Sequence, residues 1–133
     1  MWREVNGKFK EVQTLTSHTN TVYSLGKISD SVFASGSSDK TIILWRESND
    51  GKFEEIQTLL GHTNTIYSLV KVSDNVFASG SYQSMKVWRD YKGKFEEIQN
   101  IAAHSGSVYS LLKLSDNIVV SGSYDSTIKL WNL

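Results

Sequence analysis

Apolar and polar positions along this chain hold no helical period for long. They fall into short runs separated by clusters of Ser, Asp, Asn and Gly, the punctuation of β-strands and turns. The clearest runs close on tryptophan. Residues 121–131 read SGSYDSTIKLW, residues 35–45 read SGSSDKTIILW, and residues 79–88 carry a copy one residue short, SGSYQSMKVW. Each predicts the end of one strand, a tight polar turn and a second strand, which together make a hairpin. The hairpins recur at intervals of about 43 residues, so the chain is a repeat array.

The repeats span about 3–45, 46–88 and 89–131, and each carries four strand signals. The first is GKFKEVQTL (7–15), which recurs as GKFEEIQTL and GKFEEIQNI. Phe9, Val12 and Leu15 do not alternate and would suit a helical face. Each run is short and bounded by turn residues, however, so strand is the reading. The second signal is TVYSLGKI (21–28) and the third VFASG (32–36), with a polar turn at Ser29-Asp30-Ser31 between them. The fourth is the tryptophan strand itself. No stretch supports a helix of ordinary length. The expectation is one all-β domain over 1–133.

Composition narrows the function classes. The formal net charge is zero, which gives no long-range pull toward nucleic acid or an anionic membrane, so neither is expected as a partner. Without cysteine there are no disulfides, thiolate metal sites or thiol nucleophiles. The apolar runs are too short to span a bilayer, and the first residues lack the apolar segment of a signal peptide. A cytoplasmic protein with no cofactor is the expectation. Mixed charge in the GKFEE runs (Lys52, Glu54, Glu55; Lys94, Glu96, Glu97) reads as a solvated strand edge that discourages stray pairing.

A histidine before the second strand, followed by SGS-x-D-x-T-I-x-L-W, resembles the WD40 repeat, and the resemblance covers essentially the whole chain. The Gly-His pair stands intact at Gly61-His62 and altered at Ser17-His18 and Ala103-His104. The Trp-Asp pair is missing, since Arg46, Arg89 and Asn132 follow the tryptophans. The resemblance implies a β-propeller of four-stranded blades around a central channel. It also implies a bracing His-Ser-Asp-Trp tetrad in each blade: His18, Ser35, Asp39 and Trp45, then His104, Ser121, Asp125 and Trp131. In the middle repeat only His62, Ser79 and Trp88 remain. There Gln83 stands in the aspartate's place, the turn is one residue short, and the brace is expected to be weaker by about 1–2 kcal/mol.

Ser, His and Asp together also suggest a hydrolase. A triad needs one assembled nucleophile with an oxyanion hole rather than blade-wise copies, and no G-x-S-x-G elbow is present, so no catalytic residue is assigned. The three histidines would be spread around a ring and could not converge on a metal.

By the same resemblance, the partner-binding face would carry Thr21, Tyr23 and Ser38, then Thr65, Tyr67 and Tyr82, then Ser107, Tyr109 and Tyr124. Five of the six tyrosines fall there, and tyrosine is favoured at protein interfaces. The reading is a non-catalytic scaffold for a protein or peptide. The alternative is a fragment of a longer WD40 protein, such as a ubiquitin-ligase substrate receptor.

Three blades do not close a ring. The chain opens on an outer strand and ends on a tryptophan strand lacking its outer neighbour. Residues 7–15 of one copy would therefore complete the last blade of another. A homo-oligomer is expected, a six-bladed dimer in preference to a nine-bladed trimer. Trp2 stands in phase with Trp45, Trp88 and Trp131. It would compete with Trp131 of the neighbouring copy, or else it marks a cut through a longer array.

Overall fold

The computed structural model describes residues 2–133, and all of its regular structure is β-strand. The first pair, β1 (Trp2–Val5) and β2 (Lys8–Glu11), forms a separate two-stranded sheet. A four-stranded antiparallel sheet follows: β3 (Val22–Lys27), β4 (Val32–Ser37), β5 (Ile42–Glu47) and β6 (Phe53–Leu59). The remaining strands are β7 (Ser68–Ser73), β8 (Val76–Gly80), β9 (Tyr82–Tyr91), β10 (Lys94–Ser115), β11 (Ile118–Ser123) and β12 (Ile128–Asn132), joined in one six-stranded sheet.

That larger sheet is two blades sharing a strand. Residues 94–102 of β10 pair with β9 as the outer strand of blade two, and residues 108–115 pair with β11 as the inner strand of blade three. The sequence pattern predicts two strands here with a connection between them. The short turn after Ser81 accounts for the difference. It brings Tyr82 into the ladder opposite Ser107, and the Gln83 amide donates to the Ser105 carbonyl at 3.0 Å, so the connection stays extended.

Blade one (β3–β6) and blade two are four-stranded, while blade three has only three strands, ending on β12. The β1–β2 pair repeats the outer half of a blade. Its Trp2–Glu11 register copies Trp45–Glu55 and Trp88–Glu97. The first predicted strand is shorter than expected, stopping at Glu11 rather than Leu15.

The core lies between blades, where sheet packs on sheet. Between blades one and two, Ile28, Val32, Ala34, Ile42 and Leu44 meet Ile66, Leu69, Phe77 and Trp88. Between blades two and three, Val72, Val76, Ala78, Met85 and Val87 meet Ala103, Val108 and Val119. The blades approach so closely that a Cβ added at Gly80 would lie 2.8 Å from Val108 Cγ1 and 3.0 Å from the Val108 carbonyl. Glycine is required there for want of space. The corresponding Gly122 of blade three would meet only Ser110 of its own blade.

The outer faces of blades one and three are open. Ile128 is 74% and Leu130 61% exposed, whereas their counterparts Ile42 and Leu44 are 1% and 0%. At the other end Leu25 is 68% exposed, against 8% for its counterpart Leu69. Side chains that two blades bury are laid bare on the third.

Candidate functional site

Each tetrad begins from a tryptophan strand, buried in blades one and two and open in blade three. Trp45 Nε1–H donates to Ser35 Oγ at 2.9 Å, and that hydroxyl lies 2.6 Å from His18 Nε2. The hydroxyl's single proton goes to Nε2, which leaves the ring proton on Nδ1, 2.8 Å from Asp39 Oδ2. The same oxygen accepts the Thr19 N–H at 3.1 Å. Blade three repeats this with Trp131, Ser121, His104 and Asp125 at 2.8, 2.7 and 2.9 Å, and the Ser105 N–H reaches Asp125 Oδ2 at 3.1 Å. In every blade the serine hydroxyl is engaged on both sides and buried, which leaves no free nucleophile. Among the described residues, no group of three or more His, Cys, Asp or Glu is placed to hold a metal ion.

Blade two is different. Trp88 Nε1 still donates to Ser79 Oγ at 2.8 Å, and Ser79 still meets His62 Nε2 at 2.6 Å. Gln83 does not occupy the aspartate's place. It takes the left-handed backbone conformation (φ 61°) that Lys40 and Ser126, the residues after the aspartates, take in the other blades. One of the two residues before that position is thus missing, and no carboxylate reaches His62 from this turn. Lys86 stands where Ile43 stands in blade one; its stem is buried, and its ammonium meets Glu97 Oε1 at 2.7 Å. Glu97, itself exposed on the outer strand, thus pairs with a buried cation.

Both tetrad carboxyls are held well below the usual carboxylate range. At Asp39 burial opposes ionisation but is outweighed by the Thr41 hydroxyl, by His18, and by the N–H groups of Thr41 and Thr19. At Asp125 the Thr127 hydroxyl leads; burial works against it, and the Thr127 N–H, His104 and the Ser105 N–H add to it. Stability from these groups is complete above the ordinary carboxylate range, near pH 4 (roughly), and is lost as pH falls below it. His62 is lowered from 6.5 to about 4, by burial first and by Lys86 second. The unfolded chain accepts that proton first, so this contribution is full above 6.5 and is lost between there and about 4. Urea unfolding across this range is expected to show an upper loss of stability that His62→Asn removes and a lower one that it does not. An unchanged upper loss in the variant would contradict the assignment.

The predicted binding positions form one rim. Tyr23 and Tyr67 meet edge-on at 5.5 Å between ring centres, Tyr67 and Tyr109 at 4.8 Å, and Tyr109 and Tyr124 at 6.4 Å. Tyr82 is exposed beside the blade-two turn, and Ser107 pairs with it. Ser38 and Thr21 are joined through the Ser38 N–H and the Thr21 carbonyl at 2.9 Å, as are Tyr124 and Ser107. Thr65 accepts from the Ser81 hydroxyl through its carbonyl at 2.7 Å. The tyrosine row crosses all three blades.

A pair of clamps was not foreseen from the sequence. The Gln13 side chain bonds the Phe53 carbonyl at 2.7 Å and the Phe53 N–H at 2.9 Å, tying one outer strand to the next. Gln57 does the same to Phe95, at 2.8 Å in both directions. The glutamine at one fixed place in every GKF run was the available signal.

The sequence model of the family described as WD domain, G-beta repeat matches residues 9–46, 53–89 and 95–132. No curated protein sequence matches the chain. Among solved structures, the fold is similar to the WD40 beta propeller domain of Doa1, with TM-score 0.75 and 24% identity over 90% of this chain and 40% of that one. It is likewise similar to U3-55K, with TM-score 0.79 and 23% identity over 96% of this chain and 40% of that one. The chain spans 40% of the length of either structure, and likeness at this identity speaks to fold alone. With the family matched in all three repeats, the chain belongs to the WD40 family.

Proposed function

We propose that this protein is a non-catalytic scaffold that binds a protein or peptide on the tyrosine rim. The observation that carries this reading is the row of edge-to-face tyrosines running from Tyr23 through Tyr67 and Tyr109 to Tyr124. The other positions assigned to this face, Thr21, Ser38, Thr65, Ser107 and Tyr82, are uncharged. Tyrosine with Ser and Thr supplies large contact area and adaptable hydrogen bonds at low entropy cost, the chemistry of antibody combining sites. Peptides selected on the wild-type protein are expected to lose about 2 kcal/mol or more of binding in Tyr67→Ala and Tyr109→Ala. The same peptides should keep their affinity for Tyr91→Ala, which lies off the row. Folded Tyr67 and Tyr109 variants with undiminished binding would overturn the reading.

We further propose that a second copy covers the open blade faces, giving a six-bladed ring. The exposed Ile128 and Leu130 of one copy would meet Leu25 and Val22 of the other, as Ile42 and Leu44 meet Leu69 and Ile66 within the chain. Strand β2 of the second copy would replace the missing outer strand of blade three. Trp131 would take the register opposite Glu11 that Trp2 holds, so the exchange conserves the ladder. Gln99, at the clamp position, would then close on Phe9 of the second copy as Gln57 closes on Phe95. Six blades lies within the usual range of about 4–8, whereas three copies would give nine.

A further inference from the structure

The carboxylate missing from blade two leaves a specific chemical gap. In the two complete tetrads, a single carboxylate oxygen takes two hydrogens, one from the histidine Nδ1 and one from the backbone N–H of the next residue. The corresponding donors in blade two are the His62 Nδ1–H and the Thr63 N–H. Ser79, which accepts from Trp88 and donates to His62 Nε2, fixes the imidazole proton on Nδ1 just as in the other blades. Among the described residues neither donor has an acceptor. Gln83 has turned away to the Ser105 carbonyl.

These donors do not face a void in the core. No buried side-chain polar atom among the described residues lacks a partner, so the imidazole N–H is reached from outside. It opens on a cavity of about 350 Å³ lined by Thr63, Tyr82, Gln83, Ser84, Lys86 and Asn100, among others. The charge acting on the imidazole is Lys86, whose ammonium also meets Glu97 Oε1 at 2.7 Å. Recognition there rests on the two aimed N–H groups with Lys86 in support, a donor set matched to one small anion with an exposed oxygen.

We propose that this cavity is a carboxylate-binding site, in which an Asp or Glu side chain of a binding partner, or a free small carboxylate, takes the tetrad aspartate's place. The ligand would complete in trans the brace that blades one and three build from their own chain. Its entry would restore the anion beside His62 and raise the pH at which that ring takes up a proton. The inference stands on blade two alone and does not depend on the tyrosine rim.

The test is a nuclear magnetic resonance titration of the intact chain, with sodium acetate replacing sodium chloride at constant ionic strength. Saturable shifts are expected at the His62 ring and the Thr63 amide, while the His18 and His104 rings and the Thr19 and Ser105 amides stay in place. The midpoint of His62 titration should rise by about one unit or more. The two sources are separated by the capped tripeptides Ser-Asp-Ser and Ser-Asn-Ser. Saturation by the Asp peptide at tenfold or more lower concentration than acetate, with no response to the Asn peptide, assigns the site to a partner's side chain. Equal response to acetate and the Asp peptide assigns it to a free carboxylate. His62 and Thr63 signals unmoved by about 100 mM acetate, or shifts of equal size at His18 and His104, overturn the proposal. Because the readout lies off the tyrosine row, its failure would leave the proposed peptide rim standing, and the reverse holds too.

Discussion

Replacing Phe77 with alanine is expected to lower the unfolding free energy by about 3–5 kcal/mol. The ring has no accessible surface and sits in the cluster between blades one and two. It stacks on Trp88 at 6.3 Å between centres with planes 18° apart, and tilts against Phe95 at 5.2 Å. Packed on both sides, the neighbours cannot collapse into the space, so both the lost transfer energy and the cavity count in full. Against a typical domain stability of about 5–15 kcal/mol, this unfolds a substantial part of the population at the low end of the range. Phe33 has the same partners in blade one, Trp45 and Phe53, but faces an open side and is only half-buried. Phe33→Ala should therefore cost distinctly less in the isolated chain. Guanidinium unfolding followed by tryptophan fluorescence measures both, and equal losses in a demonstrated monomer would contradict the packing account.

The second large effect concerns assembly. Light scattering on a sizing column is expected to give about 30 kDa for the wild-type protein, two chains of 15.0 kDa each. Ile128→Asp together with Leu130→Asp should reduce it to a single chain of 15.0 kDa. Two carboxylates placed where the counterpart residues Ile42 and Leu44 are 1% and 0% exposed would have to be buried unpaired for the faces to meet. In the monomer the same positions are solvated, so the variant should keep its fold and its circular dichroism. A wild-type protein that is already a single chain would sink the second-copy proposal. A mass of about 45 kDa would replace the dimer with a nine-bladed trimer. Gln99→Ala gives a milder version, since it removes only the clamp expected to reach Phe9 of the second copy.

Much of this molecule was legible from repetition. The three Ser-Gly-Ser to Trp segments give every blade its middle hairpin, and the strand register follows from them: Phe33 opposite Trp45, Phe77 opposite Trp88. Where the repeats agree, reading one blade reads the others. The misreadings cluster where they disagree. Counting along the sequence sets Gln83 against the aspartates, but a turn shortened by one residue closes around a different position, and backbone conformation assigns Gln83 to the left-handed place instead. The same shortened turn draws Tyr82 and Ser107 together and fuses two expected strands into β10, a long-range consequence that no local pattern encodes. The Gln13 and Gln57 clamps have no periodic signal, since a glutamine in a charged run follows no face, and only its fixed position marks it. Lys86 carries no local signal either: its place on the tryptophan strand forces a burial that Glu97 relieves.

Strand β10 gives the blades unequal independence. Blade one hands over to blade two through an irregular connection from Leu60 to Tyr67, which can yield without breaking a ladder. Blades two and three have no such joint, because 22 residues of one strand serve both. Fraying that begins at the open edge of β12 and travels inward reaches β10 through β11, and there it frees residues 108–115, whose continuation 94–102 is the outer strand of blade two. Disorder in blade three therefore passes into blade two along a shared backbone, whereas blade one is joined to blade two by packing and by the Gln57 clamp. Mechanical load on the C-terminal end would peel β12 first and then pass along β10 into blade two.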